Sequence, residues 1–518
     1  MTVARPAPEP RPLAECDVPG VVFRDPRPDG TQTTGITNDS RAVQPGDIYA
    51  ALPGARVHGI DFLQQAQEAG AVAVLTDPFG AAAAAASGLA LAVVENPRSV
   101  LGELSRWVYG DPASGMLLIG ITGTNGKTTT SYLIEGGLSA AGHRTGIIGT
   151  TGIWVDDQTL PSARTTPEAP DVHALLAVMR ERGVTAVVME VSSHALVMGR
   201  VDGLVFDVAL FTNLTQDHLD FHGTMEDYFA AKAGLFAASR SRAGVVCVDD
   251  DWGVRLAGGS QVPVQTYGLG TRGGDSEPVA GRPHWNAWRV EPTATGHLAL
   301  SVAGPDGQTI RLESPLPGLF NAANALGAYV TLLAAGISAD HARQGLLLAR
   351  SVPGRMERIG STFAGFPVFV DYAHTPDAVR RVIAAARDLA VGSVIVVLGC
   401  GGDRDRDKRP KMGEIAATTA DQVIVTDDNP RSEDPAVIRS QVLAGVPDAF
   451  RSRVREVADR REAIRAAVLA AAPGDVVLVL GKGHEQGQEA NGVVTPFDDR
   501  VEVLEAIRVP GVARLDRS

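Results

Sequence analysis

Residues 123–129, Gly-Thr-Asn-Gly-Lys-Thr-Thr, constrain the fold more than any other stretch of the chain. They follow an apolar run, Met116–Thr122, that reads as a buried strand, and they open Thr129–Ala141, which reads as a helix. A glycine-rich turn between a strand and a helix aims backbone N–H groups and the positive end of the helix dipole at one point, which suits a phosphate. In such a loop Lys127 reaches the β- and γ-phosphates and the Thr128 hydroxyl ligates Mg²⁺. The spacing is Gly-x-x-Gly-Lys-Thr, shorter than the general pattern, because Ile121 stands where the first glycine would be.

The rest of the chain carries the α/β rhythm that such a loop requires. Expected strands are Arg144–Ile148, Ala186–Met189, Val208–Thr212 and Val245–Val248, with helices at Asp171–Arg182, Asp227–Ala237 and Asn321–Ala335. Residues 297–312 alternate around Pro305-Asp306-Gly307 and predict a β-hairpin. The rhythm restarts after 351–360 with strands Val368–Val370, Val394–Leu398, Gln422–Thr426 and Val476–Leu480, and helices Asp377–Leu389 and Arg460–Ala472. Ahead of the loop, Asp47–Leu52 and Ala71–Leu75 read as strands and Phe62–Ala69 as a helix. Strands alternating with helices predict mostly parallel sheets. With 518 residues, about three domains are expected. The predicted division is a disordered extension at 1–30, an N-terminal domain at 31–114, a central domain at 115–350 and a C-terminal domain at 351–518.

Charge and cysteine usage narrow the function class. The net charge of −13 argues against a general nucleic-acid binder, which usually shows a basic excess. It leaves room for anionic small molecules in locally positive pockets. Cys16, Cys247 and Cys400 lie far apart, giving neither a disulfide framework nor a metal quartet. No apolar leader is visible, and the longest apolar stretch, Ala81–Val94, is shorter than the about 20 residues that span a bilayer. The expectation is a cytoplasmic protein without membrane or nucleic-acid partners; nothing implies an oligomer.

Two acidic or imidazole-bearing segments follow predicted strands: Glu190-Val191-Ser192-Ser193-His194, and Asn213-Leu214-Thr215-Gln216-Asp217-His218. Open α/β sheets place ligands at strand carboxyl ends, where Glu190 and His218 can complete a magnesium shell.

Together with Gly123–Thr129, these segments resemble the Mur ligase family, whose ATP loop has the Thr-Gly-Thr-Asn-Gly-Lys-Thr form. The resemblance runs from about Thr31 to Arg508. It implies three α/β domains: a central P-loop parallel-sheet ATPase domain, flanked by an N-terminal UDP-binding domain and a C-terminal Rossmann-like domain. It implies catalytic roles for Lys127, Glu190, His218 and Lys232. ATP contacts carried over are Gly123, Thr124, Asn125, Gly126, Lys127, Thr128, Thr129, Asn213, Asn321, Asn324, Arg355 and Asp371. Lys232, in Ala231-Lys232-Ala233-Gly234-Leu235-Phe236, matches the lysine that CO₂ carboxylates in the family; the carbamate would bridge a second Mg²⁺. Metal contacts implied are Thr128, Glu190, His218 and carbamylated Lys232.

The same resemblance assigns substrates. Asn38-Asp39-Ser40-Arg41 and Arg164-Thr165-Thr166-Pro167-Glu168 match UDP-sugar segments, which puts Ser40, Thr165, Thr166, Ser192 and Arg200 on UDP-MurNAc-L-Ala-D-Glu. Asp428-Asn429-Pro430-Arg431 is the form that accompanies meso-diaminopimelate; Arg404, Gly481 and Glu485 complete that set. Arg431 can grip the distal carboxylate bidentately and Glu485 can accept the distal ammonium. The implied activity is ATP-dependent amide-bond formation between this amino acid and the D-Glu γ-carboxyl, through an acyl phosphate, in cell-wall peptidoglycan synthesis. In the charge run Asp405–Arg409, Arg406 and Arg409 read as solvated. Two other classes compete: a P-loop NTPase that switches conformation, and a folylpolyglutamate-type ligase, which lacks the UDP-binding domain.

Overall fold

The computed structural model describes residues 5–24, 26, 30–155, 158–160, 164–270, 283–293, 297–360 and 365–508. Its strands fall into three main sheets that follow one another along the chain. The first has four parallel strands in the order Gly35–Thr37, Asp47–Ala51, Ala73–Thr76, Ala90–Val93. The helix Pro97–Val108 packs Leu101, Leu104 and Val108 into its core. Asn96 caps that helix and Pro97 occupies its first turn, where a missing N–H costs nothing.

Leu13, Val18 and Val21 are buried in the same core, and the Leu13 N–H donates to the Thr31 carbonyl. The disorder expected over 1–30 therefore does not hold for these residues. Prolines interrupt the segment, but its apolar side chains supply enough contact to seat it.

The central sheet has eleven strands among the described residues. Leu117–Thr122 lies between Ala186–Glu190 and Phe206–Phe211, parallel to both. Glu190 pairs with Ile121 and Phe211 with Thr122, so three adjacent strands end level. These strands are apolar on both faces, as a parallel sheet covered by helices on both sides requires. Helices Lys127–Ala140 and Leu319–Ala334 pack together on one face. The predicted hairpin is present as antiparallel strands Leu298–Ala303 and Thr309–Ser314 at one edge.

The third sheet runs Glu357–Ile359, Val368–Asp371, Val476–Leu480, Val394–Cys400, Gln422–Asp427, Val454–Glu456. All but the first are parallel. Four neighbouring carboxyl ends thus present Asp371, Gly481, Gly401–Arg404 and Asp428–Arg431 on one side. Arg460 and Asp499, both fully buried, pair bidentately behind this sheet (2.7 Å for each contact). No helix among the described residues is long and apolar enough to cross a membrane.

Candidate active site

The loop at 123–129 needs its glycines. Gly123 has φ +146° and Gly126 has φ +90°, conformations that L side chains rarely adopt. A Cβ on Gly123 would lie 2.0 Å from Thr212 Oγ1, and one on Gly126 would lie 2.4 Å from Asn324 Oδ1. Asn213 clamps the loop from the neighbouring strand end. Its Oδ1 accepts from the Asn125 N–H and its Nδ2 donates to the Asn125 carbonyl, each at 3.0 Å. Gly126 then caps the helix Lys127–Ala140 in a left-handed conformation, leaving the first helical N–H groups facing the cleft.

Glu190 is fully buried, 0% exposed. Its carboxylate accepts from the Thr128 hydroxyl (3.0 Å), the Thr150 N–H (2.9 Å) and the Thr150 hydroxyl (3.0 Å). All these donors are neutral. A buried carboxylate beside the loop threonine hydroxyl is an oxygen pair of the kind a hard divalent cation takes. His218 stands at the mouth, at φ +52°, with its ring 4.9 Å from that of His194. Among the described residues no three His, Cys, Asp or Glu side chains converge as a self-sufficient metal site.

Two lysines meet beneath the loop. Lys127 Nζ donates to the Gly123 and Thr124 carbonyls (2.9 and 3.0 Å), and Lys232 Nζ donates to the Gly123 carbonyl from the other side (2.8 Å). Lys232 is 1% exposed, and its Nζ lies 4.5 Å from the centre of the Tyr228 ring. Burial first, and the Lys127 charge second, push its pKa well below the ordinary lysine value. Both effects favour the neutral, nucleophilic amine over the ammonium.

The C-terminal sheet closes this cleft. Arg355 Nη2 lies 3.4 Å from Thr128 Oγ1, and its guanidinium covers the Tyr372 ring at 4.7 Å. Asp371 accepts from the Met356 and Ala373 N–H groups (2.6 and 2.8 Å), which fixes the turn that carries Arg355. Burial raises the Asp371 pKa. Asn324 donates to Asn321 Oδ1 (3.1 Å), and Asn321 Nδ2 is spent on the Pro317 carbonyl (2.7 Å). The resulting cavity, about 370 Å³, is lined by loop residues 124–129 with Glu190, His218, Asn324, Arg355 and Asp371. Thr165 and Ser192 also line it, while Ser40 lies in the N-terminal sheet region with its hydroxyl on Gln65 Oε1 (3.0 Å).

Beside the cleft, three arginines converge on one buried carboxylate. Glu168 faces Arg98 (3.0 Å), Arg164 (2.9 Å) and Arg200 (2.9 Å). Arg200 meets Glu168 through Nε and also donates from Nη1 to the Thr166 carbonyl (3.3 Å). The cluster is cationic on balance, and the Thr166 hydroxyl next to it bonds the Glu190 carbonyl (2.8 Å).

The residues at 404, 428–431, 481 and 485 come together at the ends of three strands. Lys482, fully buried, joins them: its Nζ donates to Asn429 Oδ1 (3.0 Å) and pairs with Glu485 (3.3 Å) and Asp428 (3.7 Å). Asn429 Nδ2 donates to Glu485 Oε2 (2.7 Å). Arg431 Nη1 donates to the Gly402 carbonyl (2.7 Å), and Arg404 Nη1 donates to the Asp403 carbonyl (3.1 Å). Arg409 is not solvated as expected. It is 0% exposed and holds Glu433 with two nitrogens (3.0 and 2.9 Å) and Gln441 with one (2.7 Å). Helical phase turns it inward, while Arg406 keeps the exposure expected of it. Sequence reading passed over Lys482, Thr150, Tyr228 and Arg98; only Lys482 had a visible signal, its place inside Gly-Lys-Gly-His-Glu.

A phosphate loop, a buried carboxylate and a second α/β sheet folded over both define a nucleotide-dependent enzyme. Comparison with known proteins gives the family. Residues 32–109 match the Mur ligase family catalytic domain, 121–332 the Mur ligase middle domain and 354–483 the Mur ligase glutamate ligase domain. The chain is 54% identical over 504 residues to a Streptomyces coelicolor protein named UDP-N-acetylmuramoyl-L-alanyl-D-glutamate–2,6-diaminopimelate ligase, with 96% of each chain covered. It is 47% identical to the Corynebacterium efficiens protein of that name, covering 91% of this chain and 89% of the other. A solved structure bearing the same name superposes with TM-score 0.67 at 32% identity, over 96% of this chain and 99% of that one. The chain belongs to the Mur ligase family.

Proposed function

We propose that this enzyme joins meso-diaminopimelate to the D-Glu γ-carboxyl of UDP-MurNAc-L-Ala-D-Glu with hydrolysis of ATP to ADP and phosphate, in the cytoplasm, as a step of peptidoglycan synthesis. The observation that carries the reading is the contact of Arg355 with Thr128, which brings the sheet bearing Asp428–Arg431 against the phosphate loop. The relatives' shared name supports it across nearly the whole chain. The proposed division of labour is 31–114 for the UDP end with Ser40, 115–350 for ATP and 351–518 for the amino acid.

In this mechanism the D-Glu γ-carboxylate attacks the γ-phosphorus of ATP. The bond to the bridging oxygen breaks, and ADP and an acyl phosphate form. The diaminopimelate amine then attacks the acyl carbon, phosphate leaves and the nitrogen loses a proton. Lys127, Arg355 and the loop N–H groups bear on the transferring phosphoryl group, where charge builds in the transition state. Thr165, Thr166, Ser192 and the Arg200 guanidinium orient the dipeptide carboxylate. Thr128 and Glu190 would hold Mg²⁺, with His218 and Lys232 contributing to a second ion. When bound, Mg²⁺ supplies charge neutralisation along the phosphates. Burial favours the neutral amine of Lys232, which suits attack on CO₂; the nitrogen would lose one proton as the anionic carbamate forms. Closure of the C-terminal sheet over the loop excludes water from the acyl phosphate.

Phosphate release measured with ATP, UDP-MurNAc-L-Ala-D-Glu and meso-diaminopimelate checks the proposal. Release that needs both co-substrates is the expected result. Equal release with ATP alone would instead indicate a switching NTPase.

A further inference from the structure

Arg431 is gripped from three sides by the hairpin that follows Glu485. The hairpin strands are Gly487–Ala490 and Val493–Pro496. The Arg431 N–H donates to the Glu489 carbonyl (3.0 Å), and the Arg431 carbonyl accepts from the Asn491 N–H (2.6 Å). Gln488 Nε2 donates to the Asp428 carbonyl (2.7 Å), and the Glu489 N–H donates to Asn429 Oδ1 (3.0 Å). These bonds hold Arg431 at φ +53°, a left-handed conformation that a residue with a Cβ adopts only under constraint. The guanidinium is thereby aimed, with Nη1 on the Gly402 carbonyl and Nε against the Glu489 carboxylate (3.3 Å). Among the described residues Nη2 has no protein acceptor.

We infer that Glu489 is a specificity-determining residue that makes Arg431 accept a carboxylate only when a cationic amine accompanies it. The inference rests on the reading of this pocket as the diaminopimelate site. A carboxylate that takes the Nε and Nη2 pair of Arg431, the bidentate geometry, displaces Glu489 from Nε. A displaced, partly exposed carboxylate then faces the incoming anion. An ammonium on the same carbon relieves that repulsion by pairing with Glu489 and with Glu485 across the pocket. The distal end of diaminopimelate has this zwitterionic form. A distal carboxylate alone does not, and meets two acidic side chains with no charge to offer them.

The test compares diaminopimelate with 2-aminopimelate, which keeps the distal carboxylate and lacks the distal amine, in the full-length enzyme and in Glu489→Gln. The wild type should favour diaminopimelate. The near-isosteric Glu489→Gln should shrink the ratio of the two KM values by about three- to fivefold, the scale of a partly exposed ion pair. KM for ATP and for the UDP-dipeptide should stay unchanged, and Glu489→Asp should restore most of the preference. An unchanged ratio in Glu489→Gln, with diaminopimelate still ligated by the wild type, overturns the role of Glu489 alone. Failure of the wild type to ligate diaminopimelate overturns the pocket reading and this inference with it.

Discussion

Lys232 and Lys482 are equally buried and differently surrounded. Lys232, under the nucleotide loop, has one carbonyl, an aromatic face and another lysine as its neighbours, with Asp217 exerting a weaker opposing charge effect. Lys482, in the amino-acid pocket, has an amide oxygen and two carboxylates. Burial penalises a charged amine in both places. Only in the second do anionic partners repay that penalty, so Lys482 works as a fixed cation that assembles Asp428, Asn429 and Glu485. The first environment favours the neutral amine, a reactive group. Depth of burial alone therefore does not tell a structural lysine from a chemical one; the partner set does.

The contrast is broken most directly at Lys482. Lys482→Met preserves bulk and removes the charge, leaving Asp428 and Glu485 facing each other without a cation. Breaking one side of a buried ionic cluster costs about 3–5 kcal/mol. Chemical denaturation should show a loss of that size, with KM for the amino acid raised in whatever folds. A stability equal to wild type would mean that Lys482 holds nothing together.

Lys232→Met should behave in the opposite sense. Turnover should fall about 100-fold or more, the scale of losing one group that bears on transition-state charge. In Lys232→Ala, where truncation leaves room, short carboxylates should recover part of the activity. Stability should rise, not fall, in CO₂-free buffer at neutral pH. The sign follows from proton linkage. The folded pKa of Lys232 lies below the unfolded value near 10.5, so between the two the unfolded chain binds the extra proton. Stability then increases with pH across that window, and the buried lysine is a net cost below it. The advantage of Lys232→Met should shrink as pH approaches 10.5, read as converging unfolding midpoints. A variant less stable than wild type at neutral pH would show that Lys232 is instead charged and compensated.

The two lysines also mark how far sequence reading reached. The nucleotide loop was legible because its chemistry is contiguous: strand, glycine turn, Lys127, Thr128 and helix lie within one short stretch, and every flanking strand was placed to within a few residues. Glu190 and His218 were legible through their positions after strands, Arg355 and Asp371 only through the family resemblance of their segments. Residues that act through another residue were not. Lys482 was read past because its partners come from another strand end, Thr150 because its role is to bond Glu190, and Arg98 because Glu168 is 70 residues away in sequence. Arg409 was misread because charge composition does not report helical phase. Leu13, Val18 and Val21 were misread because prolines mask an apolar pattern that only the docked sheet completes.

Tyr228 gives the smallest expected effect and tests the Lys232 environment most finely. Its ring lies against Lys232, and its hydroxyl meets Thr124 Oγ1 at 3.2 Å. Burial raises the phenol pKa, so the hydroxyl stays protonated throughout the working range. Tyr228→Phe keeps the ring and removes one hydrogen bond. Thr124 retains its bonds to the Thr215 carbonyl (3.1 Å) and N–H (3.0 Å), so no buried donor or acceptor is left wholly unpaired. The cost should therefore sit near the net worth of one bond, about 1 kcal/mol, seen as a modest shift in denaturation midpoint. The pH–rate profile should not move, because the phenol, raised by burial, adds no titrating charge in the working range. A shift in the alkaline limb would show that Tyr228 is coupled to a protonated Lys232, and the distinction between the two lysines would then rest on Lys127 alone.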